Sequence, residues 1–466
     1  MYFVLTDHIA LRSWKALRGA FYVKGRPHAS GVTAEEFEIL KLCDGEHDID
    51  DDRITQSLIR KHLIRPCEKG EHPSDWSAYR RYDNRYFPKM NLMITGKCNY
   101  NCLHCFNAAD NAPLMAEWKY EEILDLLDQA KDCGINAFTI TGGEPTLHPQ
   151  FMDIIRAIYE RDMYVDALNT NGSLIDQKML DEFKAIGCNP QIKISFDGLG
   201  SHDWMRGRKG AEEKTLKAME LCVDNDFQVM SQTQVHRHNL EALMDTARRL
   251  DDLGVGILRL IRTTEAPRWI QNAGDSCLPI EEYYGKMLDF AGSYKDSGMK
   301  MDVIIWQFMK LHPSRRIYSL ETVRCNDGNF RSSAPVCSGN RGMVGVTCEG
   351  ELVPCMQMSG FMKQRGIHMG NLHEMPLKKA LTDGAYIEAV CLDLREKLED
   401  NQKCAACRYF KYCAGGCPAL GLNYCGSLTG SDLSKCMFFE NDWYQKIVAR
   451  MDGWSNLTQI KKLEEL

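Results

Sequence analysis

The chain has 466 residues, 44% of them hydrophobic and 26% charged, which supplies apolar surface for two or three folded units and excludes a disordered or fibrous class. A formal net charge of -7 argues against a general polyanion binder, so nucleic acid is not an expected partner. The opening stretch MYFVLTDHIALRSWKALRG has no basic segment followed by an unbroken apolar run, so neither a signal peptide nor a membrane span is expected and the expected location is cytoplasmic.

In chain order, residues 1-68 read as a small winged-helix-like unit, with β-type runs at YFVL, IALRSW and AFYVK ahead of two helices. Thr33 and Glu36 have capping-box spacing ahead of Phe37, Leu40 and Leu42, and Gly45 stands where a C-cap falls. The second helix is expected from about Asp50 to His62, and Pro66 forbids its continuation. Residues 69-88 are polar and linker-like. From Lys89 the runs NLMIT, AFTIT, YVDAL, QIKISF, QVMSQTQV and ILRLI alternate with helical segments such as YEEILDLLDQAKD, whose Ile123, Leu124, Leu127 and Ala130 form an apolar face. Six such units predict an α/β fold, a partial (β/α)6 TIM-like barrel over 89-300 with functional residues at the strand C-terminal ends; an open doubly wound sheet is the alternative. Periodicity then fades over 301-446, where cysteines accumulate and metal clusters would staple the loops, and 447-466 read as a C-terminal helix or tail.

Twenty cysteines in a chain expected in a reducing compartment point to metal ligation or redox chemistry rather than disulfides. Cys98, Cys102 and Cys105 have the spacing CX3CX2C directly after the first barrel strand, at the expected mouth. Structural zinc requires four ligands in closed geometry, whereas a 4Fe-4S cube on three thiolates keeps one iron open. Three cysteines match the open cube.

This triplet, with His104 as the ring-bearing residue before the third cysteine, resembles the radical S-adenosylmethionine (radical SAM) superfamily. TGGEP at 141-145 resembles that family's glycine-rich motif, which implies that Gly142, Gly143 and Glu144 meet the amino end of the cofactor's methionine. NTNG (Asn169 to Gly172) and SFDG (Ser195 to Gly198) recur there as strand ends, with Asn171 as a cofactor contact and Ser195 resembling a ribose ligand. Arg206 in HDWMRG resembles the guanidinium that pairs with the cofactor's carboxylate.

Further on, Cys337, Cys355, the CX2CX5CX3C run Cys404, Cys407, Cys413 and Cys417, and Cys436 resemble the SPASM extension, which implies two auxiliary 4Fe-4S clusters and hence three in all. Eight thiolates would ligate two cubes fully; Cys325 is the candidate for the eighth and Cys348 its rival. The resemblance assigns Cys325, Cys337, Cys355 and Cys417 to the nearer cluster and Cys404, Cys407, Cys413 and Cys436 to the outer one. A zinc ribbon is the alternative for this run. The nine cysteines outside these sets are expected to be small buried hydrophobes.

The implied chemistry is electron donation to the sulfonium of S-adenosylmethionine, release of a 5′-deoxyadenosyl radical and abstraction of a substrate hydrogen, with a flavodoxin- or ferredoxin-type protein as electron donor. The N-terminal unit resembles the PqqD-like domain of peptide maturases, which implies a precursor peptide whose leader adds a strand near Phe21, Tyr22 and Val23 and faces Arg53, Arg60 and Lys61. The expected function is therefore oxidative cross-linking of a ribosomally made peptide, with a thioether slightly favoured over a carbon-carbon bond. An anaerobic sulfatase-maturase-like side-chain oxidase and a cluster- or zinc-bearing winged-helix regulator are the alternatives. No side chain identifies itself as the catalytic base.

Overall fold

A computed structural model of the chain describes residues 1-107, 114-263, 265-325 and 329-450. The N-terminal unit is built on short apolar strands: β1 (Phe3–Leu5), β2 (Ile9–Trp14), β3 (Leu17–Val23), β4 (Ser30–Gly31), β5 (Ile64–Pro66) and β6 (Arg80–Arg81). β1 pairs with β5, and the remaining four form a sheet in the order β4-β3-β2-β6. Thr33 and Glu36 do make a reciprocal capping box, which starts helix Ala34–Leu42. The second helix is shorter than expected, Arg53–Arg60, because Asp52 accepts from Ile54 N and Thr55 N and so fixes the first turn there.

The barrel strands are β7 (Lys89–Thr95), β8 (Ala137–Gly142), β9 (Tyr164–Thr170), β10 (Gln191–Ser195), β11 (Val229–Val235) and β12 (Ile257–Arg262), each paired in parallel with the next. Leu92, Ile140, Ile192, Ile194, Leu258 and Leu260 point outward into the core with the covering helices. In helix Tyr120–Asp132 the buried residues are Ile123, Leu126, Leu127 and Ala130, with Leu124 at the margin. The opposite, concave face is polar. It carries Lys89 bonded to Asp166 at 2.9 Å, Lys193 and Ser195 on β10, and Gln232 beside Arg259 at 3.5 Å.

The sheet does not stop at residue 300. β13 (Asp302–Ile305) continues it in parallel, and the hairpin strands β14 (Met309–His312) and β15 (Ile317–Leu320) extend that edge. On the other edge β16 (Met343–Val346) pairs in parallel with β7 and carries β17 (Leu352–Val353), giving an 11-stranded sheet. A boundary between 300 and 301 therefore cuts the sheet; the run MDVIIW reads as a strand and becomes β13, but its pairing with β12 is not visible in sequence, and β14 to β17 are too short to show a period. The C-terminal helix Trp443–Arg450 packs Ile447 into the main core, and residues 451-466 lie outside the described residues. Among the described residues no helix is long and apolar enough to cross a membrane.

Residues 69-88 are pinned rather than free. Arg80 and Arg81 pair with β2, and Tyr82 stacks on Trp14 at 5.4 Å. Trp14 Nε1 donates to Cys133 O at 3.1 Å and the Tyr22 hydroxyl to Gly134 O at 2.8 Å, so both rings join the N-terminal unit to the barrel. Gly134 permits this contact, since with φ at 74° an added Cβ would lie 2.7 Å from both Trp14 and Tyr82. Tyr22 is thus buried at the joint, which corrects its expected place at an open leader-binding edge: the alternation that made it a strand residue does not say which neighbour covers it. β4 already pairs with Ala20 and Phe21, while Lys61 is held by Glu36 at 2.5 Å; Arg53 and Arg60 are exposed.

Truncating Trp14→Ala should cost about 3–5 kcal/mol and Tyr22→Phe about 1 kcal/mol. Urea denaturation with hydrogen exchange at Cys133 and Gly134 checks this, and unchanged protection in Trp14→Ala would rule out docking through this ring.

Candidate functional site

The cysteine triplet occupies the loop after β7, and three neighbouring strand ends hold that loop. From β8, Gly143 N donates to Thr95 O at 2.7 Å and Glu144 N to Lys97 O at 2.8 Å. A Cβ on Gly143 would stand 2.3 Å from Gly96 O and 2.4 Å from Lys97 O, and one on Gly142 would stand 2.6 Å from Thr95 O. The need for glycine here comes from two mouth loops pressed together, a constraint the expected cofactor approach did not include. From β9, Asn171 donates through Nδ2 to Asn99 Oδ1 at 2.8 Å, and Asn99 in turn donates to Ser173 Oγ at 2.8 Å. From beyond β10, the helix His202–Arg206 receives Asn101 N on Arg206 O at 3.2 Å and Leu103 N on Met205 O at 2.9 Å.

Glu144 is fully buried and accepts from Thr146 N, Thr146 Oγ1, Thr170 Oγ1 and Asn171 N, so it ties the ends of β8 and β9 together. Burial raises its carboxyl, and the four donors oppose that rise. Arg206 is buried too. Its Nε lies 2.6 Å from Asp197 Oδ2 and its Nη1 lies 3.6 Å from Cys102 Sγ. Burial pushes the Cys102 thiol up while Arg206 pulls it back toward the thiolate a metal requires. At Asp197 burial favours the neutral acid, but the Arg206 guanidinium overcomes it and holds the carboxyl far below its ordinary range.

The Asp197 amide donates to His202 Nδ1 at 3.0 Å, which leaves the ring proton on Nε2, facing Thr215 Oγ1 at 3.2 Å. His202 is therefore neutral. His104 is neutral as well, since burial lowers it to about 3, and its Nδ1 has no hydrogen-bond partner among the described residues. It thus offers an uncharged aromatic ring inside the cysteine loop. Ser195 ends β10 in one register row with Gln232 and Arg259 on the concave face.

The C-terminal cysteines fall into two groups. Cys404, Cys407, Cys413 and Cys436 line one cavity together with Lys403, Lys435 and Asp432. Lys397 is fully buried with Nζ on Gly430 O at 2.8 Å, and buried Lys435 donates to Gln307 O at 3.2 Å and Glu321 O at 3.3 Å. Burial lowers both ammonium groups, Lys435 to about 8, and neighbouring Asp432 and thiols favour their charged forms. Thiols and buried cations suit an anionic thiolate-bound group such as a cluster. Cys337 and Cys417 each lie within electrostatic reach of Cys355. Cys325 N bonds to Tyr412 O at 3.2 Å, beside Cys413. Cys348 is packed among Met93, Met358 and Phe361. Among the described residues no three His, Cys, Asp or Glu side chains converge on a single-ion position.

Asp197, His202 and Asn99 were not legible as site residues: Asn99 acts through Asn171 at the end of β9, and within the segment after β10 the motifs do not show that Asp197 pairs with Arg206 or that its amide meets His202. Replacing Asp197 by Asn leaves Arg206 buried without its counter-charge and should cost about 3–5 kcal/mol. The folded carboxyl is depressed, so its contribution is complete above the unfolded carboxyl value and fades as pH falls below it; the two proteins should converge in stability only in acid. Gly143→Ala should cost about 1–3 kcal/mol by overpacking and lower iron retention at the triplet. Urea titrations across pH and iron analysis measure both effects; a variant with native stability at neutral pH would contradict the first.

The radical SAM superfamily model matches residues 92–250, and the SPASM iron-sulfur cluster-binding domain model matches residues 337–408. An AdoMet-dependent heme synthase of Methanosarcina barkeri is 26% identical over 327 residues, 69% of this chain and 88% of its own length. The antilisterial bacteriocin subtilosin biosynthesis protein AlbA of Bacillus subtilis is 30% identical over 164 residues, 34% of this chain and 36% of that protein. Streptococcus suis SuiB bound to its precursor peptide SuiA shares the fold, with a TM-score of 0.66, 15% identity and coverage of 93% of this chain and 99% of SuiB. The motifs that close the barrel mouth and the cysteines beyond it thus have one source: the chain is a radical SAM enzyme with a C-terminal SPASM domain.

Proposed function

We propose that this enzyme is a peptide maturase that reductively cleaves S-adenosylmethionine and oxidatively cross-links a ribosomally made precursor peptide, forming a thioether in preference to a carbon-carbon bond. The observation that carries this reading is the extent of the likeness to peptide-bound SuiB. Residues 89-466 are 378 of the 466, about 81%, so a match over 93% takes in part of the N-terminal unit as well. A side-chain oxidase without a peptide-recognition unit has no use for that segment, nor does a regulator need the barrel mouth.

One open 4Fe-4S cluster on Cys98, Cys102 and Cys105 and S-adenosylmethionine would together supply one-electron cleavage of the sulfonium and removal of a substrate hydrogen. The chain's own residues orient and shield. Gly142, Gly143, Glu144 and Asn171 hold the mouth loops in register, Arg206 keeps positive charge beside Cys102, and His104 presents its uncharged ring. Two auxiliary clusters are assigned to Cys325, Cys337, Cys355 and Cys417 and to the cavity of Cys404, Cys407, Cys413 and Cys436. A flavodoxin- or ferredoxin-type donor would supply electrons. Arg259 joins the concave face to the cysteine-rich region, since Gln232 touches it and Cys355 lies within its electrostatic reach.

One observation favours a second function: the heme synthase relative covers more of this chain than AlbA does. Anaerobic turnover with dithionite separates the two. Peptides encoded beside the gene should stimulate 5′-deoxyadenosine formation and lose two hydrogen atoms in mass, with a cysteine no longer alkylated by iodoacetamide. Stimulation by iron coproporphyrin III and by none of the peptides would replace the maturase by heme-related chemistry.

A further inference from the structure

The concave face of the barrel carries more positive charge than it neutralises. Its carboxylate, Asp166, is already bonded to Lys89 at 2.9 Å. Lys193 stands on β10 two residues before Ser195, which places it about 7 Å deeper at a rise of about 3.3 Å per residue. Among the described residues its ammonium has neither a hydrogen bond nor an ion pair. Its register neighbour on β9 is Asn169, whose Oδ1 is buried with no hydrogen-bond partner, and Asn91 Oδ1 on β7 is in the same condition. Arg259 lies two register rows higher, on the same face and aligned with Gln232 and Ser195. Its guanidinium touches Gln232 Oε1 at 3.5 Å and lies over the Trp306 ring at 5.7 Å, with no carboxylate at ion-pair distance among the described residues. Of the two acids in its electrostatic reach, Cys355 is one of the thiols assigned to a cluster and Glu321 is held by Lys310 at 2.6 Å.

Half-buried cations with no counter-ion at contact distance cost free energy, even with Asp166 in electrostatic reach of Lys193 and Cys355 of Arg259, and so do buried amide oxygens without donors. A substrate that brings its own carboxylate relieves the first cost, and its amide N–H groups relieve the second. We propose that Lys193 and Arg259 form an anion anchor inside the barrel that receives a carboxylate of the substrate and so sets its depth relative to the cysteine triplet. In a peptide the carboxylate belongs to an Asp or Glu beside the modified residue. In a heme precursor it belongs to a propionate. The proposal rests on the concave face being the substrate space of this radical SAM enzyme, and it names the substrate chemistry of that same site.

The test uses the full chain, reconstituted anaerobically with iron, sulfide and S-adenosylmethionine. Equilibrium dialysis compares two probes, N-acetyl-Glu-Gly-Cys-amide and its Gln counterpart, and a third arm uses iron coproporphyrin III. The Glu peptide should bind about tenfold more tightly than the Gln peptide, equivalent to one desolvated charge pair. Lys193→Met should abolish that preference, and Lys193→Arg, which keeps the charge, should restore most of it; circular dichroism and iron content verify that both variants fold and load. Lys193-dependent binding of the porphyrin alone would uphold the anchor and overturn the peptide reading. Equal binding of the Glu and Gln peptides with Lys193-independent porphyrin binding, or no binding of any probe, would overturn the anchor, while 5′-deoxyadenosine release with dithionite in the same preparation would leave the radical enzyme intact.

Discussion

The ion pair between Arg206 and Asp197 is the interaction on which the barrel mouth depends. Both side chains are buried, so neither charge has water to fall back on, and each is stable there only because the other is present. Asp197 also accepts from Gln234 N and fixes His202, and Arg206 reaches Cys102. One carboxylate thereby couples the ends of β10 and β11 to the loop that carries the cysteines. The glycines of β8 and the asparagines of β7 and β9 close the loop from the other sides.

The same rule, that a buried charge must have a partner, organises the rest of the molecule. Around the C-terminal cysteines the buried cations are Lys397 and Lys435, set against Asp432 and thiols that metal binding would convert to thiolates. On the concave face Lys89 is paired with Asp166, whereas Lys193 and Arg259 have no ion pair among the described residues, and a substrate carboxylate can provide one. The chain's overall negative charge makes these buried positive sites local features of the two working regions rather than an average property.

Much of this was legible in the sequence. The six β runs fall on β7 to β12, the strand-end motifs converge on one mouth, and the Thr33–Glu36 capping box is formed. Period-two alternation and glycine-rich turns are local signals, and these elements are local. What the sequence did not disclose depends on which residues meet across the fold. The short strands β14 to β17 had too few residues to show a period. Tyr22 looked like an edge residue because its partner, Gly134, lies 112 positions away. Lys193 read as one polar residue in a β run, and only the register of β9 to β12 places it below Ser195 near unpartnered amides.

The proposed chemistry requires three iron-sulfur clusters on these cysteines, one of them on the triplet at the barrel mouth. The most direct measurement is iron, sulfide and zinc content of anaerobically purified and reconstituted protein, for the native chain and for one with Ala at Cys98, Cys102 and Cys105. About twelve irons per native chain, falling to about eight in the variant with little zinc in either, is the predicted result. Stoichiometric zinc with little iron would contradict it and remove the basis for radical chemistry at this site.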